Sequence, residues 1–421
     1  MSGSSNGFVD QTLDNGLRIV IEPMSTVQSA AAGFLVRTGA RDETPELAGV
    51  SHFLEHMCFK GTAKRDWHQI TIEFDEMGST YNAYTSKERT FYFGWVRTED
   101  LQRQMELLGD MMRSVIPPQE FETEKKVILE EIAMSADQMD SCIYDLIHER
   151  LYAGHSLAWP VLGTTETISA LGRDQLFEYF EGRYHPANMV LIVAGAVDPE
   201  ATLKMAERFC GAWKPKAPRP RRIEPPTITP AVHVRIADRF QQQALAIAYP
   251  APSATHPDRE DADVFAAILG GHNSRFFWKI IQAGLAPYVA AGRLDYCDAA
   301  IMIAFGFCEP DKAEALLEGM KQELSRATRD GVTRDEVQRV KNRTRTALTT
   351  EAEAPYYRLM QLVHDIDVLG GPRNVEERLA AVEAVTPDSI LAYLKRWPIA
   401  GPGSLTSMGP RNWPDGSPFV L

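Results

Sequence analysis

The sequence predicts an α+β protein of two domains, and three observations carry that reading. The chain has 421 residues, more than one domain of roughly 100–200 residues needs. Strand-like and helix-like stretches are grouped irregularly, without strict βαβ alternation. Residues 214–230 read KPKAPRPRRIEPPTITP. Proline neither continues a helix nor donates to a ladder, so this stretch is an extended basic linker. It divides the chain into 1–213 and 231–421. The halves are alike in size and element content, although no sequence repeat is visible, so a duplicated fold is suggested.

In the first half, 17–21, 30–36, 90–96 and 189–193 are short apolar or β-branched runs that read as strands. Segments 98–115 and 119–134 place apolar residues at helical spacing. In the second half, 232–236, 245–249 and 301–307 read as strands. Segments 260–269, 311–328, 333–350 and 387–396 read as helices.

Composition narrows the function classes. Hydrophobic residues make up 44% and charged residues 24%, which excludes global disorder. Lys and Arg number 44 against 57 Asp and Glu, a formal charge of −13. Phosphate binding needs clustered cations, so no nucleic-acid partner is expected, and an acidic surface favours basic partners. No apolar run reaches the length of a membrane span, so no membrane insertion is expected. The five cysteines, Cys58, Cys142, Cys210, Cys297 and Cys308, are scattered and form no CxxC. They are neither a disulfide framework nor a cysteine zinc site. The opening MSGSSNG lacks the regions of a signal peptide. The cytoplasm is therefore expected, or the periplasm if a signal peptide has been removed.

The segment 49–62, GVSHFLEHMCFKGT, carries the chemistry. Val50, Phe53, Leu54 and Met57 fall at i, i+3, i+4 and i+7, one apolar helix face. His52 and His56 are four apart, so their rings leave the same side of the helix one turn apart. That spacing suits two imidazoles on one zinc ion. Glu55 sits just before His56, within reach of the same site, and suits a general base. The order H-x-x-E-H inverts the H-E-x-x-H helix of other zinc proteases. A third protein ligand is needed. The candidate is Glu131, 75 residues after His56, in FETEKKVILEEIAMS at 121–135. Glu124 lies seven residues earlier on the same face, and Val127 and Ile128 between them mark that face as inward. An inward carboxylate needs a partner. Zinc would satisfy Glu131, with Glu124 supporting it. Glu130, about 100° around the helix, reads as solvated. Cys58 reads as a core thiol, and His68, His148, His155 and His185 fall outside the ligand pattern.

His52-Phe53-Leu54-Glu55-His56, followed at this distance by EKKVILEEI, resembles the pitrilysin/insulinase/mitochondrial processing peptidase family of zinc metallopeptidases, in its bacterial-type short two-domain form. The resemblance continues in LDNGL (13–17), VRTGARD (36–42), ELAG (46–49), GSTYNAYTSKERT (78–90), LGT (162–164) and YHPANMVLIVAG (184–195). It is strong over 13–213 and weaker after 231. It implies two similar α+β domains, each an antiparallel sheet packed with helices. The first would carry the zinc and the second would complete a substrate chamber. It implies His52, His56 and Glu131 as ligands of one Zn2+ per chain and Glu55 as the base. A peptide substrate would bind as an added strand at Asn82, Ala83, Tyr84 and Thr85, held by backbone hydrogen bonds. The expected function is a zinc metalloendopeptidase acting on unfolded peptides or small protein segments.

The second half departs from the family pattern. Self-sufficient members carry an Arg and a Tyr seven apart, ending near Gly-Leu-Ala-Tyr. Here 278–292 reads WKIIQAGLAPYVAAG. Aligned on Gly284-Leu285-Ala286, the arginine position holds Ile280 and the tyrosine position Pro287, with Tyr288 displaced by one. Isoleucine donates no hydrogen bond. The favoured expectation is the zinc-bearing subunit of a heterodimer whose homologous partner carries the Arg/Tyr pair. The alternatives are a self-sufficient homodimer using Tyr288 with Arg275, Lys279 or Arg293, and a non-catalytic structural subunit. Retention of all four zinc and base residues argues against the last.

Overall fold

The computed structural model describes residues 7–217, 223–399 and 403–411. Strands β1 (Val9–Thr12), β2 (Arg18–Pro23), β3 (Ser29–Val36), β4 (Thr80–Thr85), β5 (Thr90–Arg97) and β6 (Met189–Gly195) form one sheet in the order β1-β2-β6-β3-β5-β4. Strands β7 (Val232–Ile236), β8 (Gln243–Pro250), β9 (Tyr288–Asp295), β10 (Ala300–Cys308) and β11 (Ser404–Gly409) form a second, in the order β7-β11-β8-β10-β9. Leaving out β1, the two sheets share one topology. In each, the first strand pairs in parallel with the last, and every other neighbour is antiparallel. The duplication that length and element content suggested is thus explicit in strand order, and the sheets are antiparallel except at that one pair.

The apolar runs read from the sequence are the central strands. All eight residues of β3 but the first, and all seven of β6, are buried. A strand covered on both faces needs no polar alternation. The expected helices are also found, for example Pro118–Ala136, Arg259–Gly270, Arg334–Glu351 and Pro387–Arg396. The stretch 78–90 holds β4, a turn and the start of β5. Strand β11 (SLTSMG) is fully buried despite its polar residues, so no hydrophobic pattern announces it.

The compact units are not the two contiguous halves. One comprises residues through Met134, Trp159–Arg222 and Thr349–Val375. The other comprises Ser135–Ala158, Ile223–Leu348 and the residues from Glu376 on. Each half therefore lends the other a helix, and the reason is the second face of each sheet. In the first unit, Val20, Leu35, Phe91, Phe93 and Ile192 are covered by Leu359, Leu362, Val363 and Ile366 of helix Pro355–Val368. Arg358 of that helix, 1% exposed, bonds Glu22 on β2 at 2.7 Å, so the buried cation is paired. In the second unit, Ala246, Ile301 and Ile303 are covered by Ile143, Leu146 and Ile147 of helix Met139–Leu151. The 214–230 segment carries no helix or strand where it is described, and its centre, 218–222, lies outside the described residues.

Candidate active site

Helix Val50–Cys58 is fixed at its start by two devices. Gly49, its N-cap, has φ +94°, and an added Cβ would meet the Leu162 carbonyl oxygen at 2.6 Å. Only glycine fits such a left-handed, closely approached position. The buried Glu43 carboxyl group, pushed up to about 8 by burial, accepts from the Gly49 N–H at 2.7 Å and the Ser51 N–H at 2.8 Å, satisfying donors that a helix start leaves orphaned. The apolar face Val50, Phe53, Leu54 and Met57 is fully buried. Phe53 stacks on Phe121, centroids 4.9 Å apart. That contact joins the helix to Pro118–Ala136, which carries Glu131.

Across this pair of helices the three expected ligands converge. His52 Nε2 is 3.8 Å and His56 Nε2 3.7 Å from Glu131 Oε2, and the two rings lie 4.7 Å apart. All three ligand atoms fall within 4.8 Å of one another. Ligands about 2.1 Å from a tetrahedral zinc stand roughly 3.4 Å from each other, so two nitrogens and one carboxylate oxygen at these separations fit that ion. Burial, with the neighbouring ring, drives His52 down to about 3. Burial also lowers His56, against the pull of Glu131 and Glu124. Both imidazoles are therefore neutral near pH 7, the form that ligates metal.

The Glu55 carboxyl is pushed up to about 7 by burial, although a hydrogen bond from Thr85 opposes this and Glu131 adds to it. Thr85 Oγ1 donates to Glu55 Oε2 at 2.5 Å. Glu124 is buried and pairs with Lys60 Nζ at 2.8 Å. Ile128 is buried between Glu124 and Glu131, but Val127, expected to share that inward face, is 36% exposed. Its position, three residues past Glu124, puts it at the rim of the stripe. Glu130 is exposed. Cys58 is fully buried and burial raises its thiol to about 12, an inert state.

The expected peptide-binding residues lie on β4, an edge strand that pairs only with β5 among the described residues. Strand alternation divides them. Asn82 is exposed, with its Oδ1 accepting from the Ala83 N–H. The Ala83 side chain is in the core, and Tyr84 packs on Phe91. Thr85 reaches Glu55 instead of solvent. Tyr288 is at the start of β9, the corresponding edge in the second unit. It is half exposed and lines an apolar cavity of about 410 Å³ with Ile143, Ile303, Phe305 and Phe307. Ile280 is fully buried. Arg275 is held by Glu336, and Arg293 by Asp263 and Asp295. Sequence reasoning did not single out Glu43 or Lys60 or the bond from Thr85 to Glu55. Each contact spans elements, and no local motif marks it.

Comparison with known proteins places the chain. The model of the insulinase family (peptidase family M16) matches residues 18–165, and that of the peptidase M16 inactive domain matches 170–344. An uncharacterized zinc protease of Bacillus subtilis, YmxG, is 32% identical over 90% of this chain and 93% of its own length. Another of Streptomyces coelicolor is 33% identical over 91% and 86%. A Helicobacter pylori protease structure superimposes with a TM-score of 0.89 at 20% identity, covering 96% of this chain and 99% of that one. A Pseudomonas fluorescens structure described as a peptidase M16 inactive domain gives 0.88 at 16% identity, over 97% and 100%. The chain belongs to the M16 peptidase family, in its short two-domain form. No helix among the described residues is long and apolar enough to cross a membrane.

Proposed function

We propose that this protein is a zinc metalloendopeptidase that hydrolyses unfolded peptides or small protein segments. The convergence of His52, His56 and Glu131 beside Glu55 carries the reading. Bound there, zinc would act as a Lewis acid toward the scissile carbonyl and would acidify the attacking water. Glu55 takes that water's proton and returns it to the leaving amine. Thr85 holds the Glu55 carboxylate in place through its hydroxyl. The edge of β4, unpaired among the described residues and with Asn82 exposed on it, offers backbone donors and acceptors to an extended peptide.

The chain acts as the zinc-bearing subunit of a heterodimer. The pairing of Arg275 with Glu336 and of Arg293 with Asp263 and Asp295 supports this, since each guanidinium already has a carboxylate partner. The half-exposed Tyr288 favours the second reading, a self-sufficient homodimer. The test is cleavage of quenched unstructured peptides by the zinc-loaded chain, with Glu55→Gln as control. Cleavage abolished in Glu55→Gln supports the peptidase and the second reading. No cleavage despite a full complement of zinc supports the heterodimer. A Glu55→Gln variant that cleaves as fast as the parent sinks the mechanism.

A further inference from the structure

The second compact unit holds a cavity of about 400 Å³ between helices Arg259–Gly270, Ala313–Asp330 and Arg334–Glu351 and a π-helical turn, Phe277–Ile281. Its lining is strongly basic in a chain of net charge −13. Arg275, Lys279, Arg326, Arg339 and Arg343 face it against only two carboxylates, Glu323 and Glu336, leaving a formal surplus of three positive charges.

The carboxylates are already engaged. Glu336 takes Arg275 through two bonds, at 2.7 and 2.9 Å, and Glu323 takes Arg326 at 2.7 Å. Arg275 Nη2 also donates to the Gly331 carbonyl, and its Nη1 is buried with no partner. Arg343 donates to the backbone carbonyl of His272 at 2.7 Å, so its charge is not neutralised. Lys279 and Arg339 are exposed and have no carboxylate partner among the described residues. Concave walls bearing one sign of charge focus their field and concentrate counter-ions of the other sign. Guanidinium forks match the paired oxygens of phosphate.

We propose that this cavity is a binding site for a small ligand bearing more than one phosphate charge, such as a diphosphate. The mouth carries Trp278, 62% exposed, beside Lys279. An acidic peptide is the competing occupant. The small volume and the guanidinium geometry favour the compact oxyanion. The site is independent of the His52 centre, and its test does not read proteolysis.

The test is calorimetric titration of the full chain with sodium pyrophosphate at low ionic strength. Saturable binding is expected, weakening as salt is raised. Arg339→Gln and Lys279→Gln change exposed side chains, so both should fold. Each should weaken binding by roughly tenfold, the loss of one charge-assisted hydrogen bond. Lys395→Gln, outside the cavity, should leave affinity unchanged. Four results would overturn the proposal: no saturable heat, unchanged affinity in both cavity variants, equal weakening by Lys395→Gln, or tighter binding of an oligoglutamate than of pyrophosphate.

Discussion

Replacing Glu43 by alanine tests whether the histidine-bearing helix is held in place from its N-terminus. The carboxyl group is buried and accepts from two backbone N–H groups, of Gly49 and Ser51. Removing it leaves both donors in a site that water does not reach. An unsatisfied buried donor costs about 1–3 kcal/mol, so the pair costs roughly 2–6 kcal/mol. A central value of about 4 kcal/mol corresponds to a fall of roughly 8–16 °C in the melting temperature of a domain this size. Glu43→Gln keeps one acceptor and should lose about half as much. Differential scanning calorimetry of the metal-free proteins reads this without reference to zinc. If both variants melt within about 2 °C of the parent, Glu43 does not anchor the helix, and the register of His52 and His56 has another cause.

Three further outcomes are expected. Gly49→Ala should destabilise by about 2 kcal/mol or more, because the left-handed φ is strained and the new Cβ meets the Leu162 carbonyl at 2.6 Å; a urea midpoint equal to the parent's would refute this. His52→Ala and Glu131→Gln should each cut zinc retention after dialysis by at least about tenfold, measured by atomic absorption; full retention in either variant removes that residue from the ligand set. Burial pushes Glu336 up, but hydrogen bonds from Arg275 and Thr333 outweigh it and hold the carboxyl at about 2. A depressed carboxyl stabilises the fold above its unfolded value near 4.5, and that stability is lost as pH falls toward 2. Discounted for solvent screening, the parent should exceed Glu336→Gln by about 1–2 kcal/mol at neutral pH. The gap should close as urea melts are repeated down to about pH 3; a gap that widens on acidification refutes the pairing.

The site was legible to the extent that its residues share a helix. His52, Glu55 and His56 obey a spacing that the 3.6-residue turn enforces, and any helix containing them presents both rings together. Glu131 needed more. Its helix was readable from periodicity, but its distance from His56 depends on Phe53 meeting Phe121, a contact between segments far apart in the chain. The Val127 expectation failed for a related reason. Helical period places a residue on a face, but only the neighbouring element decides how wide the buried stripe is.

What the sequence by itself determined was the local order. Central strands rich in β-branched and apolar residues, amphipathic helices and the H-x-x-E-H spacing each follow from interactions a few residues apart. The tertiary structure alone decided the exchange of helices Met139–Leu151 and Pro355–Val368 between the halves, the burial of the polar strand β11, and the pairing of Thr85 with Glu55. Each satisfies a surface or a hydrogen-bonding group contributed by a distant segment. A sheet face that is apolar on both sides must be covered, and the chain's own pattern does not say which helix will return to cover it.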